Sequence, residues 1–357
     1  MAISDDNRPW ARRPLARVGV VGVGFAGLVL SACSASSAAH TDAARARKPS
    51  TTTPAGAAAC PLSGLPAPAG GVPERPAMAV KIDNYPAARP QSGLDKADVV
   101  FEEPVEGGIT RYAAVFQCND ASLIGPVRSA RNIDVGILGQ LGNPLLAHVG
   151  GINPVIANIV ASPIVNVDIG LSNSLMIHPA GKVPPDSDYT STALMYGTHP
   201  AMKTAPQPLF TYSSVAPAGS PVSSVNINYS STSNVTWKYN PSLHAFQRFY
   251  NGTTPDLLAD GNQNAAANVV VQYVQTTYGP WLENNMGGLE VQADLYPDAS
   301  GTAVVYRDGV AVPATWHRST LGSPTQFVDG AGNVIPMQPG QTWVEIVPNT
   351  IIATTTP

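Results

Sequence analysis

Acidic and basic residues gather between positions 83 and 131 in a pattern that could do chemistry. Glu102, Glu103 and Glu106 precede Gly107-Gly108-Ile109-Thr110-Arg111, and Arg128 and Arg131 flank Ser129. Asp83 and Asn84 close an apolar run, and Arg89 opens the polar loop Arg89-Pro90-Gln91-Ser92-Gly93. Only 12% of the chain is charged, so this concentration is informative. Arginines beside a helix N-terminus suit a phosphate or carboxylate, because orphan N–H groups and guanidinium forks both favour anions. The carboxylates could hold a cation or exchange protons. The expected ligand-binding set is therefore Asp83, Asn84, Arg89, Glu102, Glu106, Arg111, Arg128, Ser129 and Arg131. A second arrangement uses the same residues without a ligand: Arg111, Arg128 and Arg131 pair with Glu102, Glu106 and Asp83 as a closed polar core.

The elements that must position these residues follow from the pattern of apolar residues. Positions 78–83, 99–101 and 112–116 read as strands. Ser129 is placed to cap a helix in which Ile133, Ile137 and Leu141 recur at helical spacing. Positions 145–149 and 154–160 repeat strand then helix, which favours a mixed α/β layer domain over 60–200. A Pro, Ser and Ala-rich connector covers 201–224. Beyond it, period-two runs at 225–229, 235–239, 246–250, 269–274, 289–295, 303–306, 326–329 and 342–347 read as strands. Turn signals such as Asn251-Gly252, Asp260-Gly261, Asp308-Gly309 and Asp329-Gly330 separate many of them. The fold class expected is α+β, with a mostly antiparallel β-rich region over 225–350 that either packs on the first region's sheet or adds strands to it.

The N-terminus speaks of location. Arg8, Arg12, Arg13 and Arg17 precede an uninterrupted apolar or glycine run at 18–30, too short for a comfortable transmembrane helix and typical of an export signal over 1–32. Leu30-Ser31-Ala32-Cys33 has the form of a bacterial lipobox, so Cys33 is the expected lipidation site. Twin-arginine export remains an alternative to Sec, although Pro14 and Leu15 fit it poorly. Gly22-Val23-Gly24-Phe25-Ala26-Gly27 matches the dinucleotide fingerprint but lies inside this signal, without the strand and helix that the fingerprint needs. Positions 33–59 are Ala, Ser, Thr and Pro with no hydrophobic period, the composition of a tether. Removing four Arg and two Asp with the signal shifts the net charge from −4 to −6. An acidic body gives little attraction to nucleic acid or to an anionic membrane, so the lipid must do the anchoring. Cys60 and Cys118 then remain as a pair in an oxidising compartment, either bridged or as two buried thiols.

The stretches RPAMAVKIDNYPAARPQSGLDKADVVFEEPVEGGITRYAAVFQ, IGPVRSARNIDV and AHVGG, together with Pro61-Leu62-Ser63-Gly64-Leu65-Pro66 before them, carry a resemblance. So do Phe246-Gln247-Arg248, 268–271, Gly301, Asp308-Gly309, Trp316 and the closing PGQTWVEIVP. With these, the chain over 61–348 resembles the YerB-like lipoproteins, the DUF3048 family. The resemblance implies a two-part cell-surface lipoprotein and no established reaction. In one place the chain departs from the family pattern. Where the family tends to carry Pro-His-Asn before a tyrosine, this chain has Pro185-Asp186-Ser187-Asp188-Tyr189.

Other chemistry finds little support. No nucleophile elbow, H-E-x-x-H, Walker A or kinase signature occurs beyond the signal. Asp260, Asn262 and Asn264 have the spacing of a calcium loop, but Ala265 replaces its glycine and no glutamate closes it. Six scattered histidines have no i, i+4 pair, and His148 sits in an apparent strand. Trp237, Trp316 and Trp343 suit a β core better than a sugar platform. Ser129 has no identifiable base. No metal and no cofactor is expected. Two functions remain: a non-enzymatic envelope lipoprotein that binds a partner protein or cell-wall ligand, or an envelope enzyme acting on a phosphorylated or glycan substrate. They differ in whether the carboxylates are open to solvent beside the arginines.

Overall fold

The computed structural model describes residues 58–283 and 288–357. The export signal, Cys33 and the tether up to residue 57 lie outside the described residues. In chain order the first elements are β1 (Met78–Asp83), β2 (Val99–Pro104), β3 (Thr110–Phe116), α1 (Ile133–Leu138), β4 (Leu145–His148), α2 (Asn153–Ala161), β5 (Val165–Asp168) and α3 (Thr192–Thr198). Then follow β6 (Ser220–Pro221), β7 (Ser224–Asn228), β8 (Asn234–Asn240), β9 (Ala245–Tyr250), β10 (Thr254–Pro255), β11 (Ala265–Ala266), β12 (Asn268–Val274), β13 (Thr276–Leu282) and β14 (Leu289–Ala293). The last are β15 (Ala299–Arg307), β16 (Val310–Arg318), β17 (Gln326–Val328), β18 (Thr342–Pro348) and β19 (Thr354–Thr356).

One 11-stranded sheet runs through both halves of the sequence, in the order β17-β16-β15-β12-β18-β2-β3-β1-β4-β5, with β6 added on β16. The later strands therefore extend the sheet begun by the earlier ones. At its centre β12, β18 and β2 are mutually parallel, and β1, β4 and β5 form a second parallel group. β18 is buried along its whole length, as a central strand covered on both faces must be. Its two neighbours come from residues far apart in the chain.

The sheet has a different cover on each face, and strand alternation divides the core accordingly. Ala79, Val99, Phe101, Val115, Val344 and Ile346 pack with Ile133, Ile137, Val155 and Ile159 of α1 and α2. Val80, Val100, Tyr112, Val269, Val271 and Trp343 pack with Val225, Trp237 and Phe246 of a second sheet, ordered β10-β9-β8-β7-β19 with β11 beside β9. β13 and β14 form a separate two-stranded ribbon. The α+β class holds, with helices on one face and strands on the other.

Local chemistry explains the hairpins. Asp308 and Gly309, at φ 51° and 73°, connect Arg307 to its register partner Val310. Two successive left-handed residues are what a type I′ turn needs. Cys60 and Cys118 are bridged, with their Cα atoms 6.0 Å apart and 58 positions between them in sequence. Closing a loop of that length stabilises by roughly 4 kcal/mol through the unfolded chain. The helix expected from Ser129 begins later and ends sooner. α1 starts at Ile133, its N-cap position is Asn132, and no side chain caps it. Ser129 lies too far upstream because the chain from Val127 to Ala130 runs extended between the ends of β1 and β4.

Candidate functional site

β1 and β4 pair only from Met78 to Val80. Beyond that point the two strands part, and the segment around Val127 enters between them. Ile82 bridges Val127, the Arg128 N–H donates to the Lys81 carbonyl at 2.9 Å, and the Val149 N–H donates to the Arg128 carbonyl at 3.1 Å. The Ala130 N–H donates in turn to the Gly150 carbonyl at 3.1 Å. This inserted segment fixes Arg128, Ser129 and Arg131 at the carboxyl ends of two parallel strands, where open parallel sheets place their ligands.

Glu102 and Glu103 are neighbours on β2, so their side chains leave on opposite faces. Alternation therefore splits the expected set in two. On the helix-covered face Arg111 sits in register with both Asp83 and Glu103. Arg128 Nε donates to Asp83 Oδ2 at 2.7 Å, and Asp83 Oδ1 accepts the Tyr85 N–H at 3.0 Å. Arg131 grips Glu106 with two donors, Nε to Oε2 at 2.8 Å, and also meets Glu283 at 3.1 Å. Arg111 donates to the Ser129 carbonyl at 2.9 Å and lies 3.7 Å from Glu106. Beneath them Lys81 joins Glu103 and Asp134, the latter at 2.8 Å, with all three side chains fully buried.

The charges on this face perturb one another. Burial pushes Glu103 up to about 8, helped by the nearby Asp134 carboxylate and opposed by Lys81. Burial pushes Arg111 down to about 10, helped by Arg131. Burial also pushes on Glu106, but the Arg131 hydrogen bond and charge prevail and hold it below its ordinary range. Glu290, on β14, rises to about 9 through burial and then its bond to Glu283, while its Oε1 accepts the Asn132 N–H at 2.6 Å. Asp186 is raised by burial and by Asp83. The position at which the chain departs from the family's histidine pattern thus lies within electrostatic reach of Asp83 and Arg128.

The other face holds Asn84, Arg89 and Glu102. Glu102 accepts from Arg248 at 2.7 Å and from the Thr110 hydroxyl at 2.6 Å. Arg248 reaches Asp256 with its other arm, also at 2.7 Å. Arg89 donates to the Asn84 carbonyl at 2.8 Å and stacks 3.5 Å above the Tyr250 ring. Glu102 thus pairs with Arg248 of the second sheet, and not with the arginines of the opposite face. Glu345, beside Glu102 in register, accepts from Trp237 at 2.7 Å and from the Tyr229 hydroxyl at 3.0 Å.

Glu345 supplies a test of this second network. Burial, and then the Glu102 charge, push it up to about 8 from an ordinary 4.5. Between those values the folded chain keeps a proton that the unfolded chain has lost. Its contribution is therefore complete below about pH 4.5 and falls by roughly 1 kcal/mol per pH unit up to about pH 8. Urea unfolding across that range is expected to show a shallower fall for Glu345→Gln than for the wild type. Equal slopes would contradict the assignment.

Several partners lie outside the expected set: Lys81, Glu103, Asp134, Arg248, Asp256, Glu283 and Glu345. The signal was present in the strand phase. Phe246, Arg248 and Tyr250 share the buried phase of β9, and a charged residue in such a phase must be paired. The remaining sequence features have ordinary roles. Trp237, Trp316 and Trp343 are core residues, at most 1% exposed. His148 is buried between the Gly150 carbonyl and Asn166. Asp260 closes a local turn on the Asn262 N–H, and Asn264 donates to Asp256. Among the described residues no group of three or more His, Cys, Asp or Glu side chains is arranged to hold a metal. No helix among them is long and apolar enough to cross a membrane.

Side-chain exposure separates the three arginines of the helix-covered face. Arg128 is 27% exposed, Arg111 and Arg131 4% each, Asp83 3% and Glu106 10%. The arrangement can hold an anion at the outer edge of Arg128. The carboxylates paired with these arginines, Asp83 and Glu106, are little exposed, and the part-buried Asp186 lies within electrostatic reach of Arg128.

Comparison with known proteins agrees with this architecture. The "Putative lipoprotein YerB" of Bacillus subtilis (strain 168) is 29% identical over 290 residues, covering 78% of this chain and 83% of that protein. The crystal structure of the YerB protein from Bacillus subtilis superposes with a TM-score of 0.70 at 25% identity, over 83% of this chain and 99% of that one. "Protein of unknown function (DUF3048) N-terminal domain" matches residues 62–204, and the corresponding C-terminal domain matches 225–344. The chain belongs to the DUF3048 family.

Proposed function

We propose that this chain is a cell-envelope lipoprotein, held by lipid on Cys33 at the extracytoplasmic face of the membrane, that binds an envelope protein or cell-wall ligand without transforming it. The relative's printed name supports the lipoprotein assignment. The Cys60–Cys118 bridge supports an oxidising compartment. The observation that carries the binding reading is that every carboxylate in the expected set is paired with an arginine and little exposed, at 0% for Glu102, 3% for Asp83 and 10% for Glu106. An acid or base must reach its substrate, and these side chains are spent on arginines. Among the described residues the Arg128 side chain bonds through Nε alone, and its remaining donors suit a phosphate or carboxylate on the bound molecule.

Arg128→Ala tests the site. Asp83 retains the Tyr85 N–H, and Arg128 is part-exposed, so the stability loss is expected to be only about 1 kcal/mol. The rise in melting midpoint given by an anionic ligand is expected to disappear. A variant that unfolds, or one that responds to the ligand as the wild type does, would count against the site.

A further inference from the structure

A cavity that Arg128 does not line has the character of a ligand site. It measures about 630 Å³, within the range of small-molecule pockets. It lies at the carboxyl ends of β2 and β18, bounded by Pro104 and Pro348. The chain leaves β2 toward β3 on one side, and after β12 it continues through the ribbon to β15 on the other. A crevice therefore opens over β18, at a point where the connections diverge, which is where such sheets bind ligands.

The walls are mainly apolar, with Thr350 and the tyrosines Tyr229 and Tyr278 among them. Val105 and Ile109 come from the β2–β3 turn, Tyr278, Leu289 and Val291 from the β13–β14 ribbon, and Ile351 from the segment after β18. Tyr278 is 68% and Leu289 41% exposed, so the ribbon turns apolar surface toward the cavity. Gly107, at φ 74°, has nothing within 4 Å of where a Cβ would stand, so the turn leaves the mouth clear. Glu106 is the one charged residue among the described lining residues, and Arg131 occupies both its oxygens. A charged ligand would find no counter-ion there and would lose hydration on entering.

The geometry points to a binding site for an uncharged hydrocarbon chain, the aliphatic tail of an amphiphile, with its head left in water at the mouth. Arg128 does not line this site, and the two readings share only Glu106, whose oxygens Arg131 holds.

The neutral dye N-phenyl-1-naphthylamine probes this directly, using the full chain with Cys33→Ser to keep its own lipid out. Saturable fluorescence is expected, displaced by 1-decanol. Leu289→Glu and Tyr278→Ala are expected each to weaken this component by roughly tenfold, the worth of one buried apolar side chain. Leu171→Glu, at an 86% exposed apolar residue elsewhere, is expected to leave it unchanged. Both cavity variants sit at exposed positions of the ribbon, and circular dichroism is the check that they fold. The absence of saturable binding would overturn the proposal. So would binding that neither cavity substitution weakens, or that Leu171→Glu weakens equally.

Discussion

Arg248→Met is expected to destabilise the protein by about 3–5 kcal/mol, read as a lowered midpoint in urea unfolding. Arg248 is fully buried between Glu102 and Asp256, and so joins the large sheet to the second one. Its guanidinium also lies 4.9 Å from the Tyr250 ring centroid and 5.3 Å from that of Trp343. Methionine keeps much of the volume but leaves two carboxylates in an apolar layer without a cation. The triple variant Arg248→Met, Glu102→Gln, Asp256→Asn is expected to recover most of the loss, because it removes the stranded charges as well. A single-variant loss below about 1 kcal/mol would show that the ion pairs contribute little to the contact between the sheets.

Lys81→Met is expected to have an effect of similar size, about 3–5 kcal/mol at neutral pH. Lys81 is the cation between Glu103 and Asp134, and all three are sealed beneath Arg131. Alkali distinguishes this case. Glu103 is already pushed up to about 8 by burial and by Asp134. Removing the lysine withdraws the interaction that opposes that rise, so Glu103 of the variant holds its proton to a higher pH than Glu103 of the wild type. The gap between variant and wild type is therefore expected to stay level below about pH 8 and to widen as the pH rises above it. A gap of constant width would mean that Lys81 acts through packing alone.

The strands that the sequence announced are those whose pattern is local. The run at 78–83 is β1, and the alternations at 246–250 and 269–274 lie within β9 and β12. β16 was missed, since Pro313 sits in its middle and argues against a strand. The structure resolves the conflict. β6 pairs with β16 at Val310 and Ala311, and β17 pairs with it from Thr315 to His317. Pro313 falls in the gap between these partners, where no ladder needs its missing N–H. The insertion of β18 between β12 and β2 depends on contacts across more than two hundred residues, and no window of local pattern contains them.

The candidate site was legible in composition and not in geometry. The gathering of Glu and Arg residues was visible, and five of the nine expected residues meet on the helix-covered face through their side chains, with the Ser129 carbonyl joining them. Asn84, Arg89 and Glu102 lie on the other face. That division could have been read from the adjacency of Glu102 and Glu103 on one strand. What a strand pattern could not supply was the partner of each charge. Arg248 lies 146 positions from Glu102, and Glu283 and Glu290 arrive on the ribbon.

The claim that this protein binds without transforming its ligand is tested most directly by one titration with two readings. The protein is mixed with soluble cell-wall muropeptides or with polyphosphate. The melting midpoint is followed by scanning calorimetry, and the mass of the recovered ligand is measured after prolonged incubation. A midpoint that rises with ligand concentration is expected, with a ligand mass that does not change. A changed ligand mass would contradict it. A midpoint that stays fixed with every anion would contradict the site at Arg128.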